Sequence, residues 1–252
     1  MKIEILADSR NPNGGRLTTF RLKYPRFIHS EFLTHRVFSR NSSSSRAVSF
    51  ERQIEALLED PVIPQFWPKE QKGMQAKEYV TDELEIAELR RLWQKGMQQA
   101  INAAIELDAA GVHKQIVNRM LEPYSWIHTI VTADRWDNFF KLRCSDLAEP
   151  HMQALAEGMR DALEDSAANE LDWGEIHSPL SPLPRSAVAR CARVCYKTDD
   201  KETTQEEDDM LYLKLRDNGH MSPLEHVAMA ADEVNPSSNL VTGWRSTRTM
   251  EE

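Results

Sequence analysis

From about Ala76 to Ala110 the chain carries apolar residues at helical spacing: Leu84, Leu89, Leu92, Met97, Ala100, Ile101 and Ala104. Recurrence at that period lays one apolar stripe along a long helix, and the stripe needs a partner surface to cover it. Gly111 ends the run, and the spacing resumes over Val112 to Leu121. Further helices are predicted at Phe27 to Arg36 (opened by Pro25), Phe50 to Leu58, Trp136 to Leu142 and Asp146 to Leu163, and then at Ser186 to Cys195 and Glu206 to Asn218. Strands are predicted at Met1 to Ala7 and Leu17 to Tyr24, joined by the turn Asn11-Pro12-Asn13-Gly14-Gly15, with a short one after Val227. Between Arg36 and Phe50 a Ser-rich loop is expected. Several helices and few strands give an α+β class, a small antiparallel sheet packed with long helices.

The 252 residues suffice for a real core, and 40% hydrophobic with 28% charged residues is ordinary for a globular chain. One domain over 1–252 is expected, with the proline-rich stretch 177–185 (Pro179, Pro182, Pro184) as its candidate internal join. A formal charge of -9 argues against general nucleic-acid binding, which needs a positive face. No run of roughly 18 apolar residues is present, and MKIEILADSR lacks the apolar stretch of a signal peptide, so a cytoplasmic protein is expected. Cys144, Cys191 and Cys195 lack zinc spacing and read as reduced thiols.

Thr34 to Arg46 (THRVFSRNSSSSR) concentrates one His, Arg36, Arg40 and Arg46, and five Ser around Asn41. Arginine forks and hydroxyls suit a phosphate ester, although a solvated Ser loop has the same composition. Gly219 to His226 (GHMSPLEH) places two His and a Glu within a short, proline-pinned segment. As zinc ligands they are incomplete, so no metal is expected; a capped helix start with exposed His is the plain alternative. Arg119 and Arg143 each sit on an apolar helical stripe, either at its rim or directed into a polar pocket. Nothing in their spacing selects Asp146, Glu149 and His151 as an acid–base group. Rossmann, P-loop and nucleophile-elbow patterns are all absent, and Ser44 has no local base.

Together these segments resemble the flavin-dependent thymidylate synthases. The signature of that family is Arg-His-Arg, seven residues and Ser; Thr34-His35-Arg36, Ser44 and the following Arg46 keep the spacing. GHMSPLEH resembles its flavin segment G-H-x-[ST]-P-[FL]-E-H, and Gly111-Val112 through Arg119 and Pro123, then Asn138-(x4)-Arg143, resemble two further blocks. In the family, the counterparts of 189–196 and of GHMSPLEH precede the Arg-His-Arg block. Here they follow it, so the chain resembles a circular permutant joined near 177–185.

The resemblance implies FAD as cofactor, NADPH and 5,10-methylenetetrahydrofolate as co-substrates, dUMP converted to dTMP, and a homotetramer. It assigns His35, Arg36, Val37, Asn138, His220, Ser222 and Glu225 to the flavin. Ser44, Ser45, Arg46 and Arg119 go to the nucleotide, and Arg143 to polarisation of the pyrimidine ring. Three positions depart from the family pattern: Thr34 stands for the first Arg, Ser42 for a common Glu, and Glu31 for a common Gln. Glu31 and Ser42 are therefore also substrate-binding candidates. Ionised Glu only accepts hydrogen bonds, whereas Gln also donates. A ring presenting an amino group, as in dCMP, is the alternative substrate, and a hydroxymethyl product or a nucleotide- or RNA-binding protein without catalysis are the remaining ones.

Overall fold

The computed structural model describes residues 1–75, 77–194, 202–232 and 238–252. Two long strands, β1 (Lys2–Arg10) and β2 (Arg16–Pro25), form an antiparallel hairpin. Its turn uses Gly14 at φ +82° and is tied by Asn11, whose Oδ1 accepts from the Gly15 amide at 2.9 Å. After the short helix α1 (His29–Phe32) come β3 (Ser39–Ser42), α2 (Phe50–Glu59), the long α3 (Glu83–Ala109) and α4 (Lys114–Val117). Strand β4 (Trp126–Ala133), α5 (Asp137–Arg143), α6 (Pro150–Glu164) and the two-residue β5 (Asn169–Glu170) and β6 (Ile176–His177) follow. The chain closes with α7 (Pro184–Arg193), α8 (Gln205–Asp217), β7 (Ala228–Ala230), β8 (Trp244–Ser246) and α9 (Thr247–Glu251).

One sheet has the order β3-β4-β2-β1-β5, antiparallel except for the β1–β5 pair; the other is β6-β7-β8, antiparallel. The main core lies where β2 and β4 meet α1, α5 and α6, with Phe20, Leu22, Phe32, Phe38, Phe139 and Met152 buried together. A second cluster joins α3 to α2 and the turn 118–124 through Leu57, Met97, Ile101 and Leu121. A third holds α7, α8 and residues 222–227.

The α+β class holds, and several expected elements differ in extent. The long helix starts at Glu83, where Asp82 caps it by accepting from the Glu85 amide at 2.9 Å. Before it, a strap pairs Pro68 with Tyr79. Leu84 and Leu92 on its stripe remain 83% and 48% exposed, so only its second half is buried. Phe27 to Arg36 is not one helix but a single 3-10 turn and the four-residue α1. The expected helix from Val112 shrinks to α4 followed by the 3-10 segment Asn118–Tyr124, which contains Pro123.

The largest correction concerns the Ser-rich loop, part of which is β3, an edge strand paired with β4. Strand β4 itself is absent from the expectations: nearly all its residues are buried, so its sequence shows a continuous run instead of an alternation. The stretch 177–185 is fastened, with the Arg190 Nη1 donating to the Leu180 carbonyl at 2.8 Å. Cys144 and Cys191 are free, and Cys191 is buried; Cys195 and the start of the acidic stretch at 199–201 lie outside the described residues. No described helix is long and apolar enough to cross a membrane.

Candidate active site

Arg143 closes α5, and its guanidinium meets three side chains from the α1 turn. Nε donates to His35 Nε2 at 3.0 Å, Nη1 to Glu31 Oε2 at 3.2 Å and Nη2 to Thr34 Oγ1 at 3.2 Å. Arg40 braces that turn from beneath: its Nη1 donates to the carbonyls of Leu33 (2.9 Å) and His35 (3.2 Å), which a helix end leaves unpaired. The His35 ring lies edge-to-face on Phe139 at 4.8 Å and stacks with Phe38 at 5.7 Å. Burial, with Arg143 and Arg40 alongside, lowers His35 to about 4, so it is neutral at pH 7 and accepts from Arg143 through Nε2. Burial and the Glu149 carboxylate raise Glu31, against the pull of Arg143. Asp146 is not part of an acid–base trio, whereas Glu149 and His151 pair at 2.6 Å and hold the loop at Gln65.

The serines following β3 turn mostly inward. Ser42 bonds Thr129 at 2.9 Å, and Thr129 bonds Tyr24 (3.1 Å), which bonds His29 Nδ1 (2.8 Å). Ser45 donates to Glu122 at 2.6 Å, and Glu122 pairs with Arg26 at 3.2 Å. Ser44 keeps a helix-capping role, its oxygen accepting from the Arg46 amide at 3.3 Å. Arg46 and Arg119 are exposed. Arg119 stands near enough to Arg26 to disfavour the charge of that buried guanidinium, although burial is the larger cause of its lowered pKa. Three cations therefore gather beside Ser44, a suitable place for a phosphate.

The segment Ser222–His226 is a 3-10 turn packed on β3, although 180 residues separate the two in sequence — Ser222 Oγ donates to Asn41 Oδ1 at 3.4 Å, whose |i−j| is 181, and Asn41 Nδ2 donates to the Cys191 carbonyl at 2.6 Å. His220 and Ser222 line a cavity of about 400 Å³ with Asn41, Arg193 and Lys214. Glu225 faces elsewhere: Arg248 holds its carboxylate at 2.6 Å beside Ser39, across a smaller cavity of about 160 Å³. His226 is fully buried and anchors the turn, its Nδ1 at 2.8 Å from Thr132 Oγ1.

The structure thus brings Glu31, His35 and Arg143 into direct contact and sets His220 and Ser222 against the strand that leads to Ser44. Arg36, Val37 and Asn138 are exposed around the first cluster and make no side-chain hydrogen bond among the described residues. Arg26, Arg40, Glu122, Arg193, Lys214 and Arg248 escape the sequence reading, since each charge is given its partner only by the tertiary fold.

The thymidylate synthase complementing protein family (Thy1) matches residues 17–167. A search of curated proteins finds no match. Among solved structures, a UMP/dUMP methylase, PolB from Streptomyces cacaoi, bound with 5-Br UMP, is similar with a TM-score of 0.52 and 16% identity, over 64% of this chain and 88% of that one. The same methylase bound with 5-Br dUMP gives a TM-score of 0.45 and 18% identity, over 59% of this chain and 65% of the other.

Proposed function

From the premise that the chain belongs to the thymidylate synthase complementing protein family, we propose that it methylates a pyrimidine nucleotide, converting dUMP to dTMP. The observation that carries this reading is the guanidinium of Arg143, fixed by His35, Glu31 and Thr34 beside the β3 segment. FAD, NADPH and 5,10-methylenetetrahydrofolate are the proposed partners. The donor set fits a flavin: neutral His35, the hydroxyl of Ser222 and the imidazole of His220 suit ring and ribityl atoms. Arg193 and Lys214 in the same cavity suit a pyrophosphate. When bound, the flavin supplies the redox chemistry.

In this reading Arg46, Arg119 and Ser44 hold the phosphate and Ser45 the sugar. Exposed Arg36, Val37 and Asn138 meet the cofactor, as does Glu225. Arg143 donates to a base carbonyl and stabilises negative charge developing on that oxygen. No protein nucleophile is required, and Ser44 has neither a His nor a carboxylate among its hydrogen-bond partners. Leu33, Val37 and Leu142 are exposed around the cluster (43%, 37% and 51%), which supports a homotetramer with sites closed by a neighbouring copy. A cytoplasmic single domain in permuted order, joined at 177–185, completes the proposal; the packing of 222–226 on β3 supports the permuted order.

One observation favours a second substrate. Glu31 points its carboxylate to the Arg143 fork, and Ser42, in place of a carboxylate, is engaged with Thr129. An acceptor there suits the amino group of dCMP, methylated or hydroxymethylated. Turnover of dUMP and dCMP by wild type and Glu31→Gln, each with FAD, NADPH and the folate, separates the two. Consumption of dUMP alone by both proteins would remove the dCMP reading, and no turnover of either would remove the proposed function.

A further inference from the structure

A cavity of about 600 Å³ lies between the strap ahead of α3 and the start of α6, and none of the roles above uses it. Its size falls within the roughly 300–1,000 Å³ of small-molecule sites. Phe66 and Tyr79 come from the strap, Asp146 and Leu147 from the turn after α5, and Glu157 from α6. Leu147 is 65% exposed at the rim, an apolar side chain with nothing packed over it among the described residues. Asp146 makes no ion pair or side-chain hydrogen bond there either, while Glu157 accepts from Gln153 at 3.0 Å.

Aromatic and leucine walls suit a flat ring, and ionised carboxylates can only accept. A ring edge that satisfies one carboxylate with two bonds must present two adjacent N–H donors. The 2-amino-4-oxopyrimidine edge shared by pterins and guanine does so; the adenine edge alternates donor and acceptor. Lys77, also lining the cavity, suits an anionic tail.

We propose that this cavity binds a fused heteroaromatic ring through its 2-amino-4-oxopyrimidine edge, with Asp146 as the principal acceptor. The place matters because Asp146 and Leu147 follow Arg143 closely on the chain, and Glu149 in the same turn acts electrostatically on Glu31. Identification of the ring with the pterin of the one-carbon donor rests on the function proposed above; the cavity's preference for such an edge does not.

The test is calorimetric titration of the full chain with 5-formyltetrahydrofolate, guanosine and adenosine, with dUMP titrated in parallel. Wild type should bind 5-formyltetrahydrofolate, and Asp146→Asn and Ala154→Phe, the latter filling the cavity, should each weaken it at least tenfold. Melting curves confirm that both variants fold, and dUMP affinity should not change. Guanosine binding tighter than 5-formyltetrahydrofolate would support the edge and name a guanine nucleotide as the ligand. Adenosine binding as well as guanosine, unchanged 5-formyltetrahydrofolate affinity in both folded variants, or no binding of that probe and guanosine by wild type would each overturn the proposal. Loss of dUMP binding alone, with Asp146-dependent binding of 5-formyltetrahydrofolate retained, would count against the proposed function and leave the cavity assignment standing.

Discussion

Arg143 shows why a residue's chemistry is read from its partners. Its three nitrogens are each taken by a different side chain, so its direction is set before any ligand arrives. Arg143→Ala should lower kcat on the order of a hundredfold or more, the scale of removing one donor aimed at a developing oxyanion, with melting temperature nearly unchanged. Steady-state kinetics beside a thermal melt measures both, and full activity would show that the guanidinium is not at the reacting ring. Ser44→Ala should weaken nucleotide binding by several-fold, about 1 kcal/mol for one lost hydrogen bond, without altering kcat. Equal KM for the two proteins would place the phosphate elsewhere. The arginines and Glu31 were legible in the sequence because charge and spacing survive without a fold. The inward turn of Ser42 and Ser45 was not, because their partners Thr129 and Glu122 lie far along the chain.

Elements were legible where their pattern was local. The hairpin, α6 and α8 were readable from alternation, helical spacing and caps. Strand β4 was not: covered on both faces, it offers no period, and β3 without β4 reads as a Ser-rich loop. The same dependence governs the hairpin turn, where the 242–243 backbone closes over Gly15. A Cβ on Gly15 would stand 2.0 Å from the Thr242 carbonyl oxygen, and Asn11 Nδ2 also donates to that oxygen at 2.7 Å. Gly15→Ala should therefore cost roughly 3 kcal/mol or more by forcing the two segments apart. Urea denaturation reads the loss, and a change below about 0.5 kcal/mol, the range of neutral surface substitutions, would mean that the turn and the tail are not in contact.

Across the whole molecule, a buried polar chain ties the two sheets and the Ser222–His226 turn together. Ser9 meets His177 (2.9 Å), His177 meets Thr19 (2.8 Å), Thr19 meets Thr132 (2.7 Å), and Thr132 meets His226 (2.8 Å). Burial lowers both imidazoles from 6.5 to about 3. A lowered histidine is neutral when folded and takes up its proton only on unfolding, so its contribution is complete above pH 6.5 and is lost as pH falls toward 3. Two such groups make stability fall by roughly 3 kcal/mol per pH unit near pH 5. His29 and His35, lowered to about 4, act in the same sense, and the raised Glu31 acts against them. Denaturation at pH 7, 6 and 5 checks the slope, and equal stability at all three would show that the histidines are not neutral inside. That chain also fixes the His220–Glu225 segment against β3, which joins whole-molecule order to the proposed chemistry. The most direct test of that chemistry is the mass of the product formed from dUMP with FAD, NADPH and methylenetetrahydrofolate labelled at its transferable carbon. The account predicts dUMP heavier by one labelled methyl group from wild type and none from Arg143→Ala; dUMP recovered unchanged from flavin-loaded wild type would contradict it.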